Sequence, residues 1–322
     1  MRKLVVLGAA AALLLAVAAA FFLGGWTSPG PAARPVPVII AQGSSLAKAA
    51  ATLETAGVLK SADRFLLQAR LLGSGDAIKA GEYEVPAGAS PQQVLALLQS
   101  GRTLQRFVAI PEGLPSVLVH ERLMRAPTLT GSIPVPEEGS VLPDSYSYQR
   151  GESRAAVLKR MQQAMTRELD ALWAKRAPHS VVKSKREAII LASVVEKETG
   201  KPSERPMVAG VYSNRVRIGM KLDADPTVIY PITRGRPLGR RILRSELNAD
   251  NGYNTYARAG MPIGPIANPG RESIAAVLNP AKTEALYFVA DGTGGHVFAN
   301  TLAEHNANVR KWFAIRRQRG EM

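Results

Sequence analysis

The sequence predicts an α+β protein with an N-terminal transmembrane helix, a small α+β module and a larger mixed α+β domain. An unbroken apolar run extends from Leu4 to Leu23, and a β-α-α-β-α order of patterns follows a linker rich in Gly and Pro. Mostly helical patterns, with a few strands and loops, then extend as far as the C-terminus. The expected segments are a cytoplasmic end (1–3), the transmembrane helix (4–23), the linker (24–37), the module (38–101), connecting strands and loops (102–150) and the large domain (151–322).

The apolar run has the length of a membrane span. Its twenty residues cover about 30 Å as a helix, which matches the hydrocarbon core of a bilayer. Arg2 and Lys3 precede the run and predict a cytoplasmic N-terminus, with Trp26 at the far interface. We therefore expect a single-pass protein of the inner (cytoplasmic) membrane whose large domain is periplasmic or otherwise extracytoplasmic. A cleavable signal peptide ending near Ala18–Ala20 is the alternative.

Composition excludes several function classes. The 322 residues include no cysteine, so disulfides, thiolate chemistry and cysteine-based zinc sites are excluded. The four histidines are scattered without ligand spacing, and we expect neither a metal nor another cofactor. The formal net charge of +15 predicts an anionic partner. Because the domain is expected outside the cytoplasm, that partner is a cell-wall polymer rather than nucleic acid.

The predicted module is built from short elements with clear boundary residues. Strands are expected at Val36–Ile40 and Gly81–Val85, and Ser90 followed by Pro91 and Gln93 indicates a helix N-terminus with a capping box. Two further helices are expected to begin after Ser44 or Ser45 and after Ser61. A wall-binding module and a spacer without a ligand both fit this pattern.

The larger domain contains helices, one clear strand and unusual loops. Long helices are predicted at Arg154–Arg176 and Thr301–Arg317, and a strand at Tyr287–Ala290. Asp225 precedes a proline, which disfavours helical geometry and predicts a defined loop. A basic segment follows, with arginines at 234, 236, 240, 241 and 244. It is either a solvated face or a contact for acidic peptide stems of a wall polymer.

One stretch, Ala188–Thr199, carries the candidate chemistry. It is an apolar helix that runs into two carboxylates, Glu196 and Glu198. At about 100° per residue, Glu198 extends the apolar stripe of the helix, whereas Glu196 points to nearly the opposite side. Burial against apolar groups raises the pKa of a carboxyl group, which can then act as a general acid near neutral pH. A salt bridge at a frayed helix end is the competing interpretation.

The second half of the chain carries a series of distinctive stretches: ASVVEKET (192–199), SERPMVAGVYSNR (203–215), IGMKLDADPTVIY (218–230), YNTY (253–256), GMPIGPIANPG (260–270), YFVADG (287–292) and GGHVF (294–298). In these stretches, their order and their spacing, the chain from 191 to 305 resembles the YceG-like family of bacterial endolytic murein transglycosylases. LPDSY (142–146) also looks like a segment of that family, with Ser145 where Thr is more usual. The N-terminal module resembles the family's LysM-like subdomain more loosely.

The resemblance implies a transglycosylase catalytic domain over 151–322. Such enzymes are lyases that cut peptidoglycan strands internally between N-acetylmuramic acid and N-acetylglucosamine, leave a 1,6-anhydro end and thereby terminate strand elongation. The resemblance assigns both proton transfers to Glu198 and a structural role to Glu196. The candidate sugar-binding residues are Asn214, Asp225, Tyr253, Asn254 and Tyr256.

Two alternatives remain open at this stage. A hydrolytic muramidase would pair Glu198 with Asp225 as its second carboxylate. A non-catalytic wall-binding scaffold would recruit peptidoglycan synthases through its membrane anchor. The expected partners are therefore the glycan strands of peptidoglycan, the inner membrane and peptidoglycan synthases, without nucleic acid.

Overall fold

The computed structural model describes residues 13–14, 16–17, 19–20 and 22–321. Within these residues, no helix combines the length and the apolar character needed to cross a bilayer. This finding overturns the predicted transmembrane helix over residues 4–23 and the single-pass inner-membrane localisation that depended on it. Residues 4–12, 15, 18 and 21 of the predicted span lie outside the described residues.

The tryptophan that follows the apolar run packs on protein. Trp26, expected at a membrane interface, is buried, and its ring centroid lies 6.2 Å from that of Phe65. Just before it, the carbonyl of Phe22 accepts a hydrogen bond of 2.6 Å from Nε2 of Gln68. A tryptophan beside an apolar run suits a protein core as well as a membrane interface, because both environments cover its large apolar ring. The sequence pattern could not distinguish these two uses.

The chain divides into two compact units. The first contains the described residues up to Arg106 together with Gln149–Gly151, and the second contains Phe107–Tyr148 and the chain from Glu152 onward. The elements of the first unit are β1 (Val36–Ile40), α1 (Leu46–Thr55), α2 (Ala62–Leu72), β2 (Gly81–Val85) and α3 (Pro91–Ser100).

The first unit confirms the predicted strands and helix caps. Strands β1 and β2 pair in antiparallel register with Val38 opposite Tyr83, and both side chains lie in the core. Ser45 and Ser61 cap α1 and α2 by accepting backbone N–H bonds. Ser90 forms the predicted reciprocal capping box at the start of α3. Local sequence signals therefore determine most of this unit.

The second unit carries the remaining elements and confirms the mixed α+β character. Its strands form two further pairs, β3 with β4 and β5 with β6. The elements are β3 (Arg106–Ala109), α4 (Ser116–Arg125), β4 (Ser145–Tyr148), α5 (Arg154–Trp173), α6 (Lys185–Glu198), a 3₁₀ turn (Pro202–Glu204), α7 (Arg205–Arg217), α8 (Asp225–Thr233), α9 (Arg244–Leu247), α10 (Arg271–Leu278), β5 (Tyr287–Ala290), β6 (His296–Ala299) and α11 (Leu302–Gln318).

Helix α6 lies at the centre of the second unit. Every residue from Ala188 to Val195 is buried, and the helix contacts α7, α8 and α10. The expectation of a single buried stripe, with Glu196 lying away from it, is therefore wrong for this helix. Because neighbours surround α6, its last turn carries both Glu196 and Glu198 into protein.

The predicted loop around Asp225 is a helix N-terminus instead. Asp225 is the first residue of α8, and Pro226 is the second, after an extended Ala224. Proline is compatible with the first turn of a helix because the amide hydrogens there have no intrahelical partner. That tolerance outweighed the usual restriction on the residue before proline.

Strands β4 and β6 were not predicted either, and β6 forms an antiparallel hairpin with β5.

Candidate active site around Glu198

Glu198 ends α6 in a partly enclosed position. The residue as a whole is partly exposed, but its Oε1 atom is buried and has no hydrogen-bond partner among the described residues. Buried carboxyl oxygens in proteins are nearly always hydrogen-bonded, so an unpartnered one is typical of a functional site. Asp225 is exposed and Tyr256 is half-buried. The side of the site that carries these two residues is therefore accessible to solvent.

The pKa of Glu198 is raised from 4.5 to about 7. Burial is the largest cause, since removal of water disfavours the charged carboxylate. The negative charge of Asp225 raises the pKa further, whereas hydrogen bonding by the Tyr212 hydroxyl and the positive charge of Arg215 lower it. A carboxyl group with this pKa exchanges its proton near neutral pH, as a residue that acts first as acid and then as base requires.

Helix α7 supplies the two groups that stabilise the charged form of Glu198. Tyr212 is buried, and its ring makes an edge-on contact with Phe288 of β5 at 5.7 Å. Arg215 donates to the carbonyl oxygens of Leu222 and Leu286, each at 2.7 Å. Because these carbonyls fix the guanidinium, its charge is held close to Glu198 without forming an ion pair with it. The pKa of Tyr212 is raised mainly by burial, so its hydroxyl remains a proton donor at neutral pH.

Asp225 and Tyr256 form the exposed side of the site. The Tyr256 hydroxyl donates to Oδ1 of Asp225 over 2.7 Å. A buried pair of threonines holds the two segments together, with the hydroxyl oxygens of Thr227 and Thr255 2.8 Å apart. The Thr255 hydroxyl also accepts a hydrogen bond from the Ala224 amide, just before α8. This contact fixes the start of α8, and with it the Asp225 carboxylate, relative to the loop that carries Tyr256.

Glu196 is also enclosed by protein, but both of its oxygens have partners. Its side chain is 5% exposed; Oε1 accepts from Arg205 at 3.1 Å, and Oε2 accepts from the Gly270 amide at 2.9 Å. The same Nη2 of Arg205 also contacts Glu112 at 2.6 Å. Both oxygens of Glu196 are therefore committed, and the carboxylate fastens the end of the 260–270 loop to α6.

The Glu204 carboxylate stabilises the turn that follows Glu198. Glu204 accepts hydrogen bonds from the backbone amide of His296 at 3.0 Å and from its Nδ1 at 2.7 Å, and from the Thr199 hydroxyl at 3.3 Å. Burial tends to raise the pKa of Glu204, but the hydrogen bonds from His296 outweigh it and the pKa is lowered. The ionised carboxylate thus joins the C-terminal end of α6 to the start of β6.

Two predicted sugar ligands have side chains occupied by protein. Nδ2 of Asn214 donates to the carbonyls of Thr283 and Ala285. Asn254 is buried, its Nδ2 donates to three carbonyls, and its Oδ1 accepts from the Tyr256 amide. Sugar binding by these two asparagines stays a prediction. In the described contacts, their side-chain amide hydrogens already bond to backbone carbonyls. Their geometry makes them supports of the loops that surround the site.

Tyr253, the remaining predicted ligand, is half-buried and faces another tyrosine. Its ring centroid lies 5.0 Å from that of Tyr230, whose hydroxyl donates to Oε2 of Glu138 at 3.2 Å. The structure thus brings Asp225 and Tyr256 to Glu198 through contacts or charge, whereas Tyr253 belongs to a neighbouring aromatic pair. Sugar binding by Tyr253 also stays a prediction.

Sequence reasoning did not identify Tyr212, Arg215 or the Thr227–Thr255 pair. A signal for the first two was present, since residues three apart on a helix share one face and α7 follows directly after the Glu198 turn. The threonine pair had no signal, because its members are 28 positions apart in the sequence. Among the described residues, no group of three or more Asp, Glu or His side chains is arranged to hold a metal ion.

Comparison with known proteins gives the same family over most of the chain. Endolytic murein transglycosylases from Streptococcus pneumoniae and Bacillus subtilis are 29% and 27% identical over 327 and 317 residues, covering 85% and 88% of this chain. The chain spans 58% of the streptococcal relative's length and 86% of that of the Bacillus relative.

A solved structure extends the comparison from sequence to fold. The crystal structure of a yceG-like protein from Listeria monocytogenes matches with a TM-score of 0.52 and 27% identity, over 85% of this chain and 98% of that one. The sequence pattern of the YceG-like family matches residues 38–311. The chain therefore belongs to the YceG-like family, as its motifs predicted.

Proposed function

We propose that this protein is a lytic transglycosylase that cleaves the glycan strands of peptidoglycan internally, with Glu198 as its catalytic acid and base. The observation that carries the proposal is the Glu198 carboxyl group, which has a pKa of about 7 and a buried Oε1 with no hydrogen-bond partner in the part of the chain that the structure describes. The names of the streptococcal and Bacillus relatives, endolytic murein transglycosylases, support this choice of reaction.

The proposed reaction has two proton transfers. The protonated Glu198 donates to the glycosidic oxygen while the bond from that oxygen to C1 of N-acetylmuramic acid breaks. The resulting carboxylate then takes the proton of the C6 hydroxyl of the same sugar as that oxygen attacks C1. The products are a free 4-hydroxyl on N-acetylglucosamine and a 1,6-anhydro end, without consumption of water. Because the internal hydroxyl replaces a second catalytic group, one carboxyl group suffices.

The groups around Glu198 have complementary roles in this proposal. Tyr212 and Arg215 favour the carboxylate that must exist between the two transfers, whereas burial and Asp225 favour the acid that starts the reaction. Asp225, held by Tyr256, also places negative charge on the exposed side of the site, where positive charge develops on the sugar ring. We propose Asp225 and Tyr256 as the residues that contact the sugar, and Tyr253 as a neighbouring support.

Digestion of isolated peptidoglycan sacculi tests the proposal. The purified full chain should release fragments whose masses correspond to 1,6-anhydro-muramic ends, and E198Q should release none. Matched treatment with the E196Q variant controls for the loss of a carboxylate in the same helical turn. Reducing ends in the products would instead identify a muramidase that pairs Glu198 with Asp225. Failure of the wild type to cut sacculi would leave the scaffold hypothesis.

Association with peptidoglycan synthases stays a prediction of the same proposal. An enzyme that ends strand elongation must reach strands while they are being made. Co-purification of a synthase with the full chain from crosslinked cells would support this prediction. Recovery of mature sacculus alone, without a synthase, would contradict it.

A further inference from the structure

The basic segment, residues 234–244, lies next to the candidate site and is not used by the proposed chemistry. It contains five arginines and no acidic residue, and all five arginines are exposed. Arg234, at its start, is in a left-handed backbone conformation with φ of 55° directly after α8. A concentrated positive charge of this kind requires a partner or remains solvated.

The arginines fall into two groups with different partners. Arg236 pairs with Glu121, and Arg240 pairs with Glu246, so these two guanidiniums hold the segment on the protein. Within the part of the chain that the structure describes, Arg234, Arg241 and Arg244 form no ion pair and no side-chain hydrogen bond. Two arginines therefore fix the segment, while three present free guanidinium groups.

Both ends of the segment are joined to elements of the candidate site. At one end, α8 runs from Asp225 to Thr233 and is nine residues long, which places Arg234 about 13 Å from Asp225 along the helix. At the other end, Asn254 donates to the carbonyls of Glu246, Leu247 and Ala249 and so ties the chain after the segment to the Tyr256 loop. Both ends of the segment are thus attached to parts of the chain that carry residues of the candidate site.

Exposed apolar side chains accompany the free arginines. Ile232, two residues before the segment, is 43% exposed, and Leu243, within the segment, is 52% exposed. A ligand that matches this surface carries carboxylates and small apolar groups. The short peptides attached to the muramic acid residues of peptidoglycan have this chemistry, with several carboxylates and alanine methyl groups.

We propose that Arg234, Arg241 and Arg244 bind the carboxylates of the peptide stems carried by the glycan strand. This inference rests on the proposed function for the identity of the polymer. The guanidinium group matches a carboxylate through two parallel hydrogen bonds, which ammonium groups do not provide. The segment thereby makes the enzyme prefer strands whose stems are intact over strands from which the stems have been removed.

Binding to two forms of the same polymer tests the proposal. The full chain carrying E198Q, which leaves the polymer uncut, is sedimented with intact sacculi and with sacculi whose stems were removed by an amidase and whose lactyl carboxylates, freed by that cut, were then amidated. Each exposed ion pair contributes a few-fold in affinity. The double variant R241A/R244A should therefore bind intact sacculi about tenfold more weakly at low salt, with unchanged binding to stripped glycan. R241K/R244K should recover only part of the loss, because it restores charge without the paired hydrogen bonds.

A matched control removes the same charge elsewhere in the second unit. Arg310 and Lys311 of α11 are also exposed, and R310A/K311A should bind both polymers as the parent does. Equal affinity of the parent for intact and stripped polymer, or an equal loss on both in R241A/R244A, would overturn the proposal. Thermal midpoints close to that of the parent identify variants that remain folded.

The experiments distinguish failure of the proposed function from failure of this inference. If the wild type cuts neither polymer, the catalytic proposal fails, while the sedimentation result still decides whether the segment binds stems. A soluble synthetic stem peptide provides a second readout, because it should bind the full chain and should bind less tightly when its carboxylates are amidated. Unchanged affinity after amidation would also overturn the proposal.

Discussion

Glu196 and Glu198 lie in the same helical turn, are both largely enclosed and have opposite surroundings. Glu196 has a cation and a backbone amide on its two oxygens. One oxygen of Glu198 has no hydrogen-bond partner within residues 22–321 or the described residues before them, and the pKa of this group is about 7. The difference shows that enclosure alone does not make a proton donor. A buried carboxyl group retains its proton when the groups around it fail to compensate for lost water, and it stays charged when they do.

The comparison also explains why the two carboxylates have separate uses. Glu196 accepts a hydrogen bond from the Gly270 amide and so helps to hold the 260–270 loop on α6. Burial raises the pKa of Glu198 to about 7, so this group can exchange its proton near neutral pH. A structural carboxylate and a catalytic carboxylate can lie two residues apart because α7 and the loop at Gly270 supply partners to one of them only.

The largest expected effect is on the activity of the E198Q variant. Glutamine has nearly the same shape but can neither donate the first proton nor accept the second. General acid–base catalysis typically contributes about 10²–10⁴-fold, so we expect cleavage of sacculi to fall by at least that factor. The rate of release of fragments from sacculi measures it.

E196Q is the contrasting variant. Because the role of Glu196 is structural, we expect the activity of E196Q to stay within about tenfold of that of the wild type. Full activity of E198Q together with an inactive, folded E196Q would reverse the assignment of the two carboxylates.

The next largest effect is on the stability of E196A. This substitution removes the Glu196 carboxylate from the buried Arg205 guanidinium, and it leaves the Gly270 amide without its acceptor. Removal of one partner from a buried ion pair costs about 3–5 kcal/mol, and we expect the lower end because half-exposed Glu112 still contacts Arg205. Chemical denaturation of E196A measures the loss.

The double variant E196A/R205A tests whether this loss comes from the pair. It should be destabilised by less than the sum of the single variants, because the second substitution removes the uncompensated charge. Strict additivity would show that Glu196 and Arg205 contribute independently.

Sequence predicted the parts of this molecule that depend on neighbours in the chain. The capping box of Ser90, Pro91 and Gln93 and the strand Tyr287–Ala290 appear where expected, since their signals are local. Glu198 could be singled out because a carboxylate at the end of an apolar helix is unusual, and the family motif then selected it. The reasoning from one buried stripe, however, does not apply to a helix that is covered on all sides.

Contacts between distant segments were not predictable. Asn214 is a polar residue that fits a sugar ligand, yet its amide donates to the carbonyls of Thr283 and Ala285, which are 69 and 71 positions away in the sequence. Trp26 follows an apolar run as an interfacial tryptophan would, yet it packs on Phe65. In both cases the sequence determines the chemistry of the side chain, and the tertiary structure determines what satisfies it.

A third prediction concerns the dependence of stability on pH. The pKa of Glu198 in the folded protein, about 7, is above its ordinary value of 4.5, so the folded state binds the proton more tightly than the unfolded state. This stabilisation is fully present below 4.5 and is lost as the pH rises through 7. The loss attributable to Glu198 is at most about 3 kcal/mol. Denaturation of the wild type and of E198Q between about pH 4 and about pH 8 measures this loss, because that range includes both pKa values.

E198Q cannot ionise at this position, so it should lack that part of the dependence and become the more stable protein at the alkaline end. E196Q is the matched control, because the Glu196 carboxylate has its partners in the folded state. Parallel stability curves for the wild type and E198Q would contradict a raised pKa at Glu198, whatever the activity of the two proteins.

The smallest effects, and the sharpest test of the surroundings of Glu198, come from two substitutions with opposite signs. Y212F removes a hydroxyl that lowers the pKa of Glu198, so the pH at which activity falls on the alkaline side should move up. D225N removes a negative charge that raises the pKa, so the same limb should move down. Both shifts should be smaller than the rise from 4.5 to about 7, whose largest cause is burial. The pH profile of kcat/KM measures these shifts. If the alkaline limb moved in the same direction in Y212F and in D225N, the titrating group would not be Glu198.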